Sequence, residues 1–496
     1  MSERVLEGVQ PQNVFRFFEE IAGIPHGSYH IDEISSHLVK FAKEHNLSYV
    51  QDEQKNVIIY KPATKGYENE STVILQGHMD MVAVHNDPAV DMNTTPLKLC
   101  VEGDTLYAKD SSLGGDDGIA VAYAMAILDD DSLEHPALEV LITTNEEVGM
   151  DGALGLDPSH LKGKRMINID SEDEGIFTVG CAGGVRVTAS LPLERRAQDT
   201  EDWVGESLSV EGLLGGHSGV QIHLGRANAI KVLARALYEV QKDVELRIDK
   251  ITGGTKCNAI PNVAKASFYI RKEKQQLLRE KILKIEQILK HEYHKKDDNL
   301  SLCLEMACAA SKATAAPMET VTSYTKEETK RLLSFLLLAQ DGVQSMSATV
   351  DGLVETSLNL GVLEDDGKEV KASFELRSMI RTAADDLRDK VAALGECFGA
   401  EVTISASYPE WEYREESPLR DKMVAVYREM YHKEPVVDVI HAGLECGAFA
   451  VKIDGFDGVS MGPDMRDIHT TKETLSISSA KRVYEYLIEV LRTKDE

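Results

Sequence analysis

The chain has 496 residues, 43% hydrophobic and 28% charged, enough for more than one domain and an ample core of soluble globular type. Its 83 acidic residues against 54 basic ones give a formal net charge of -29, which disfavours nucleic-acid phosphates and anionic membrane surfaces as partners. No run approaches the roughly 20 apolar residues of a membrane span, and the first residues carry no apolar signal core with a cleavage site.

The first segment alternates helix and strand. VFRFFEEIAGI and SSHLVKFAKEHN have helical periodicity, and NVIIYKP and STVILQGH read as strands. DGIAVAYAMAILDD follows as an alanine-rich helix, then LEVLITTNE and RMINIDSED as buried strands. This order predicts an α/β fold, a mixed sheet flanked by helices.

From residue 186 to 408 the pattern changes. KASFYIRK at 265–272 and KASFELRS at 371–378 share an alternating, half-buried strand pattern, and each precedes a helical stretch. Each also follows a strand and a helix, such as RANAIKVLARALYEV or EETKRLLSFLLLAQ. A tandem duplication of a ferredoxin-like α+β unit accounts for both. After residue 409 the α/β character resumes in MVAVYREMY, VVDVIHAGLECGAF and a final helix, SAKRVYEYLIEVLRTK. Residues 1–185 and 409–496 are therefore expected to form one catalytic domain, with 186–408 inserted as a lid or dimerisation domain of two repeats. Seven scattered cysteines without a CxxC pair read as reduced thiols of a cytoplasmic protein, and Cys303 with Cys308 matches no zinc module.

The chemistry starts at ILQGHMDMVAVH. Alternate side chains of an extended chain share a face, so Asp80 can stand beside His78. A metal-binding histidine needs its second ring nitrogen held by an acceptor, and a carboxylate serves. A satisfied histidine at a strand end is the plain alternative. Further carboxylates follow: Asp116 and Asp117 in SSLGGDDGIA, Glu146 and Glu147 in TTNEEVGMDG, and Asp170 in NIDSEDEG, with His469 in RDIHTTKETL. Singly, each reads as a turn, a cap or a loop. Converging on one cleft they would repel, and two divalent cations would compensate that charge. The mixed donors suit zinc, with manganese or cobalt as substitutes. One of the adjacent glutamates can bind metal while the other takes a proton from water, provided a turn brings both inward. No GxSxG elbow supports a serine nucleophile.

The ordered set GHMDMV, LGGDDGIA, TTNEEVGMDG, INIDSEDEG, GGHSG and IHTTKETL resembles the di-zinc aminopeptidase, dipeptidase and aminoacylase superfamily. Within it, GLLGGHSGVQIH, NAIPN and HAGLECG are similar to the cytosolic non-specific dipeptidases, also termed aminoacyl-histidine dipeptidases, over nearly the whole chain. The resemblance implies that His78 and Asp170 bind one metal, that Glu147 and His469 bind the other, and that Asp116 bridges them. Asp80 would orient His78, and Glu146 would be the general base for a metal-bridged hydroxide. It also implies a cis bond at Asp116–Asp117. His217 of GGHSG would approach the substrate carbonyl, from the same chain or from a dimer partner. Asn258, Arg377 and His441 are candidate contacts for the far carboxylate, with a plain surface arginine as the alternative at 377. Glu445 is a candidate partner for a free amine, or a brace for its loop. Aspartate at position 170 accompanies dipeptidases and aminopeptidases in this superfamily. The expected activity is hydrolysis of unblocked L-dipeptides, Xaa-His included, by a chain able to form a homodimer. An N-acyl amino acid deacylase, a tripeptide aminopeptidase and a catalytically silent binding protein are the alternatives.

Overall fold

The strands Val73–His78 and Leu138–Thr143 are buried at every position, as uninterrupted apolar runs require of strands covered on both faces. They lie in the computed structural model of the chain, which describes residues 4–199, 202–306 and 320–495. Their sheet has eight strands. The order is Ser48–Gln51, Val57–Lys61, Leu138–Thr143, Val73–His78, Arg165–Asn168, Asp457–Ser460, Ile176–Cys181 and Val436–Ile440. The four from Leu138–Thr143 to Asp457–Ser460 run parallel, while the first two are antiparallel, so the sheet is mixed. Strands from the two ends of the chain thus share one sheet. Met1–Cys181 with Tyr408–Glu496 forms one compact unit, and Ala182–Ser407 forms the other.

Parallel register aligns the ends of the strands. His78 stands opposite Thr143, and Gln76 opposite Asn168. Ligands of such sheets gather beyond the carboxyl ends, and Glu146, Glu147 and Asp170 follow those ends within four residues. The helix Gly115–Asp129 packs closely on Val73–His78 because Gly77 lacks a side chain. A Cβ there would lie 2.4 Å from Asp117 Oδ2 and 2.6 Å from the Ala120 Cβ.

The second unit is built on one sheet. Its order is Ser301–Met306, Trp203–Glu211, Ala264–Arg271, Arg247–Gly253, Val354–Asp365, Glu369–Ser378, Gly183–Pro192 and Glu401–Tyr408, and Gly342–Met346 pairs beside Val354–Asp365. The first four strands, with helices Ala229–Gln241 and Gln275–Glu292, have the order 4-1-3-2 of a βαββαβ unit. The other four, with helices Lys326–Leu338 and Arg381–Cys397, have the same order. The similar stretches KASFYIRK and KASFELRS hold the third strand of each.

The repeats are nested rather than tandem, which corrects the expectation from sequence. The first strand of the outer repeat, Gly183–Pro192, precedes the whole inner repeat, and its first helix follows it. A two-stranded antiparallel ribbon, Arg195–Asp199 with Thr320–Tyr324, carries the chain out and back. Leu208, Leu237, Phe268, Leu336 and Phe374 belong to one continuous apolar core of this unit. Among the described residues no helix is long and apolar enough to cross a membrane, and the cysteines are unpaired; Cys308 lies outside them.

Candidate metal centre

His78 closes its strand with a ring almost wholly removed from water. Its Nδ1 is 2.8 Å from the Asp80 carbonyl oxygen. A carbonyl only accepts, so Nδ1 carries a proton, and Nε2 faces the carboxylates. Asp116 Oδ1 is 3.2 Å and Asp170 Oδ1 3.5 Å from that nitrogen. The acceptor at Nδ1 is the main chain of Asp80, whose carboxylate lies further off at 3.6 Å. The regular strand ends at His78, so the alternation that would set the two side chains together stops there. The Asp80 carboxylate instead accepts from the Ser28 hydroxyl at 2.8 Å and from the Glu146 N–H at 3.1 Å.

Asp116 lies in an irregular first turn of its helix, at φ -84 and ψ 103, and the Asp116–Asp117 peptide is cis. Its Oδ2 faces His469 Nε2 at 3.1 Å. One carboxylate therefore turns an oxygen to each of two imidazoles. His469 Nε2 also lies 2.9 Å from Glu147 Oε2. Asn145, left-handed at φ 54, opens the short turn Glu146–Val148, and Gly149 at φ 145 closes it. That turn brings consecutive glutamates to one side, which a strand does not allow.

Burial opposes protonation of His78, yet Asp170 and Asp116 outweigh it and hold the imidazole well above the ordinary histidine range. His469 is pushed up to about 11: burial works against it, and Asp116 and Glu147 prevail. Burial raises Asp170 to about 6, with His78 opposing. Burial also raises Glu146 well above the usual carboxylate range, opposed by His78 and reinforced by Asp170. Asp116 is lowered, because its bonds to His469 and His78 outweigh burial.

The donor atoms of His78, Asp116 and Glu147 lie within 4.8 Å of one another, as do those of His78, Asp117 and Asp170. Glu147 Oε1 and Asp117 Oδ1 are buried without a hydrogen-bond partner. Unpaired anionic oxygens beside two imidazoles fit divalent cations as the missing partners.

Two residues of this centre had no role assigned from sequence. Asp117 accepts the His78 N–H at 3.2 Å, and only its place in a doublet signals it. Glu473 accepts the N–H groups of Leu113, Gly114, Gly115 and Asp116 at 2.8–3.3 Å, which fixes the turn that carries Asp116. Its only signal is its position four residues after His469.

Glu445 is 0% exposed and lies within the sheet core. Its Oε2 accepts from Gln76 Nε2 and the Thr143 hydroxyl, both at 2.6 Å. Burial raises it to about 8. His441, just past the strand Val436–Ile440, is also buried.

His217, Asn258 and Arg377 belong to the second unit. The pair Gly216–His217 bonds to Ala259–Ile260, and the Ser218 N–H donates to the Asn258 carbonyl at 2.9 Å. His217 Nδ1 accepts from the N–H groups of Gly219 and Val220 at 3.1 and 3.2 Å, so the neutral ring carries its proton on Nε2. Burial, then Arg377, lowers its pKa to about 4, so the ring is neutral at pH 7. Arg377 is 5% exposed, unlike a plain surface arginine.

A mixed sheet with carboxylates and imidazoles converging beyond its parallel strand ends, and one aspartate facing two histidines, defines the dinuclear metallopeptidase class. The peptidase dimerisation domain family matches residues 208–297. The cytosol non-specific dipeptidase of Escherichia coli (strain K12) is 36% identical over 493 residues, 99% of each chain. The crystal structure of an aminoacylhistidine dipeptidase from Vibrio alginolyticus matches with a TM-score of 0.89 and 32% identity, over 100% of this chain and 99% of that one. An aminopeptidase from Bacillus cereus shares the fold, with a TM-score of 0.57 and 15% identity over 98% of each chain. The chain belongs to the cytosol non-specific dipeptidase family of M20 metallopeptidases.

Proposed function

We propose that this protein is a cytoplasmic metallo-dipeptidase that hydrolyses unblocked L-dipeptides of varied side chain, Xaa-His included. The observation that carries the reading is Asp116, with Oδ1 toward His78 and Oδ2 toward His469, the stance of a carboxylate shared by two cations. The names of the Escherichia coli and Vibrio alginolyticus relatives support the substrate class.

In this reading His78 and Asp170 would hold one divalent ion, Glu147 and His469 the second, and Asp116 would serve both. Zinc suits the donors best, with manganese or cobalt as substitutes. Divalent ions held there would supply Lewis acidity and lower the pKa of water. Glu146, raised by burial, takes the water's proton and returns it to the leaving amine. Asp80 holds His78 through its carbonyl and the Glu146 main chain through its carboxylate. His217, neutral with its proton on Nε2, donates to the developing oxyanion, supplied in cis or in trans. Arg377, Asn258 and His441 receive the substrate carboxylate. Glu445, bonded to Gln76 and Thr143, braces the strands beneath the ligands rather than meeting the amine. The match to a dimerisation domain supports a homodimer.

The test is hydrolysis of Ala-His, Gly-Gly and Leu-Leu, free and N-acetylated, with zinc or manganese supplied. Cleavage of the free forms alone is expected. Cleavage of the acetylated forms alone would move the assignment to an N-acyl amino acid deacylase. Failure on both by the metal-loaded protein would point to tripeptides or to a silent scaffold. The variant Glu146→Gln should bind metal normally and lose at least a hundredfold in kcat.

A further inference from the structure

The loop around Ser28 lies against the chain just beyond His78. Main-chain bonds hold it there: the Met81 N–H donates to the His26 carbonyl at 3.2 Å, and the Ser28 N–H to the Met81 carbonyl at 3.3 Å. Gly27 permits the approach, since a Cβ would lie 2.9 Å from that of Ala83.

From this support the Ser28 hydroxyl donates to Asp80 Oδ2 at 2.8 Å. The other oxygen of that carboxylate accepts the Glu146 N–H at 3.1 Å, and the Asp80 carbonyl accepts from His78 Nδ1 at 2.8 Å. One residue on, the Tyr29 N–H donates to Asn145 Oδ1 at 2.7 Å. Asn145 is the left-handed residue at φ 54 that opens the Glu146 turn, and Tyr29 is itself left-handed at φ 66. Such an angle is common enough for Asn but uncommon for Tyr, and it persists where neighbours fix it. Two adjacent residues of one loop thus grip the residue before the base and the carboxylate that holds the base's own N–H.

We propose that Ser28 is a positioning residue for the hydrolytic reaction: through Asp80 it fixes the main chain of Glu146, and so the point at which the base meets the attacking water. The inference rests on Glu146 being the base. Without the hydroxyl, Asp80 Oδ2 loses this donor and the carboxylate is freer to turn about its Cβ–Cγ bond. The Glu146 N–H is then held less firmly, and proton transfer is sensitive to such displacement. The main-chain bonds of the loop do not involve the hydroxyl, so removing it tests this contact and leaves the loop in place.

The experiment uses the metal-loaded full chain with Ala-His, and measures kcat, KM and bound metal for Ser28→Ala, Ser28→Thr, Glu146→Gln and the double variant Ser28→Ala/Glu146→Gln. Ser28→Ala should lose roughly tenfold in kcat, with KM and metal content within about twofold, and Ser28→Thr should recover most of the loss. On the residual turnover of Glu146→Gln, Ser28→Ala should cost nothing further, because a residue acting through the base has nothing left to position. Unchanged kcat in Ser28→Ala overturns the proposal and leaves the base assignment standing. A loss of metal, or a loss that adds fully to that of Glu146→Gln, also overturns it, because either marks a merely structural serine. Full turnover by Glu146→Gln alone overturns the base assignment, and this proposal with it.

Discussion

Gly77 shows how far a catalytic centre depends on a residue without a side chain. The strand and the helix that carry His78 and Asp117 meet where its Cβ would be, 2.4 Å from a carboxylate oxygen. Gly77→Ala should therefore push the helix start away. A cost of about 1–3 kcal/mol in urea unfolding is expected, with weaker zinc binding by calorimetry. The same scale shows what the sequence reveals and what it hides. His78, Glu146, Glu147 and Asp170 are legible because each lies at or just past the carboxyl end of an apolar strand, where ligands gather. The hydrogen bond that orients His78 is not legible, because its acceptor is a main-chain carbonyl, which every residue possesses. The side-chain spacing of His78 and Asp80 pointed to the right residue and the wrong atom.

Among the elements, the helix Gly115–Asp129 is held at both ends. Glu473 accepts four consecutive N–H groups at its start, and Lys61 Nζ donates to the carbonyls of Ile127, Leu128 and Asp130 at 2.9–3.1 Å at its end. An anion at the amino end and a cation at the carboxyl end both oppose the helix dipole. Lys452 binds the carbonyls of Ala153, Leu154 and Leu156 at 2.6–2.8 Å in the same manner, after the helix Asp151–Gly155. Glu473→Ala leaves four donors near Asp116 without their acceptor. It should cost roughly 2 kcal/mol in urea unfolding and reduce bound metal, whereas Lys452→Met should lower stability with less effect on metal content. The strands were legible as elements, since continuous apolar runs fit a covered sheet. The caps were not, because a buried lysine and a solvated one look alike in a sequence.

For the whole molecule, a charge of -29 and a cluster of acids drawn to one place act in the same direction. Cations that bind the folded chain stabilise it by about 2.7 kcal/mol at a hundredfold excess over Kd. A chelator should therefore lower the unfolding temperature of the unit Met1–Cys181 with Tyr408–Glu496, which holds every proposed ligand, and leave that of Ala182–Ser407 unmoved. Differential scanning calorimetry with and without zinc reads both. A single shared shift would show that the units unfold together. At this scale the insertion was legible from the change of periodicity, and the two similar strands gave away the repeat. The nesting stayed hidden because Gly183–Pro192 finds its partners only after the inner repeat has been passed, and pairing across such a separation leaves no local pattern.

The ribbon Arg195–Asp199 with Thr320–Tyr324 has a consequence for how such a gene can change. The inner repeat leaves and rejoins its host at two neighbouring strands, so its coding segment is bounded like a cassette. One in-frame excision, healed by a short turn across the ribbon, would remove it and interrupt no strand of the outer repeat. One insertion at the same point would restore it. Heredity could therefore add or delete half of this unit in a single event, and the half that remains would need changes only where it shares the apolar core.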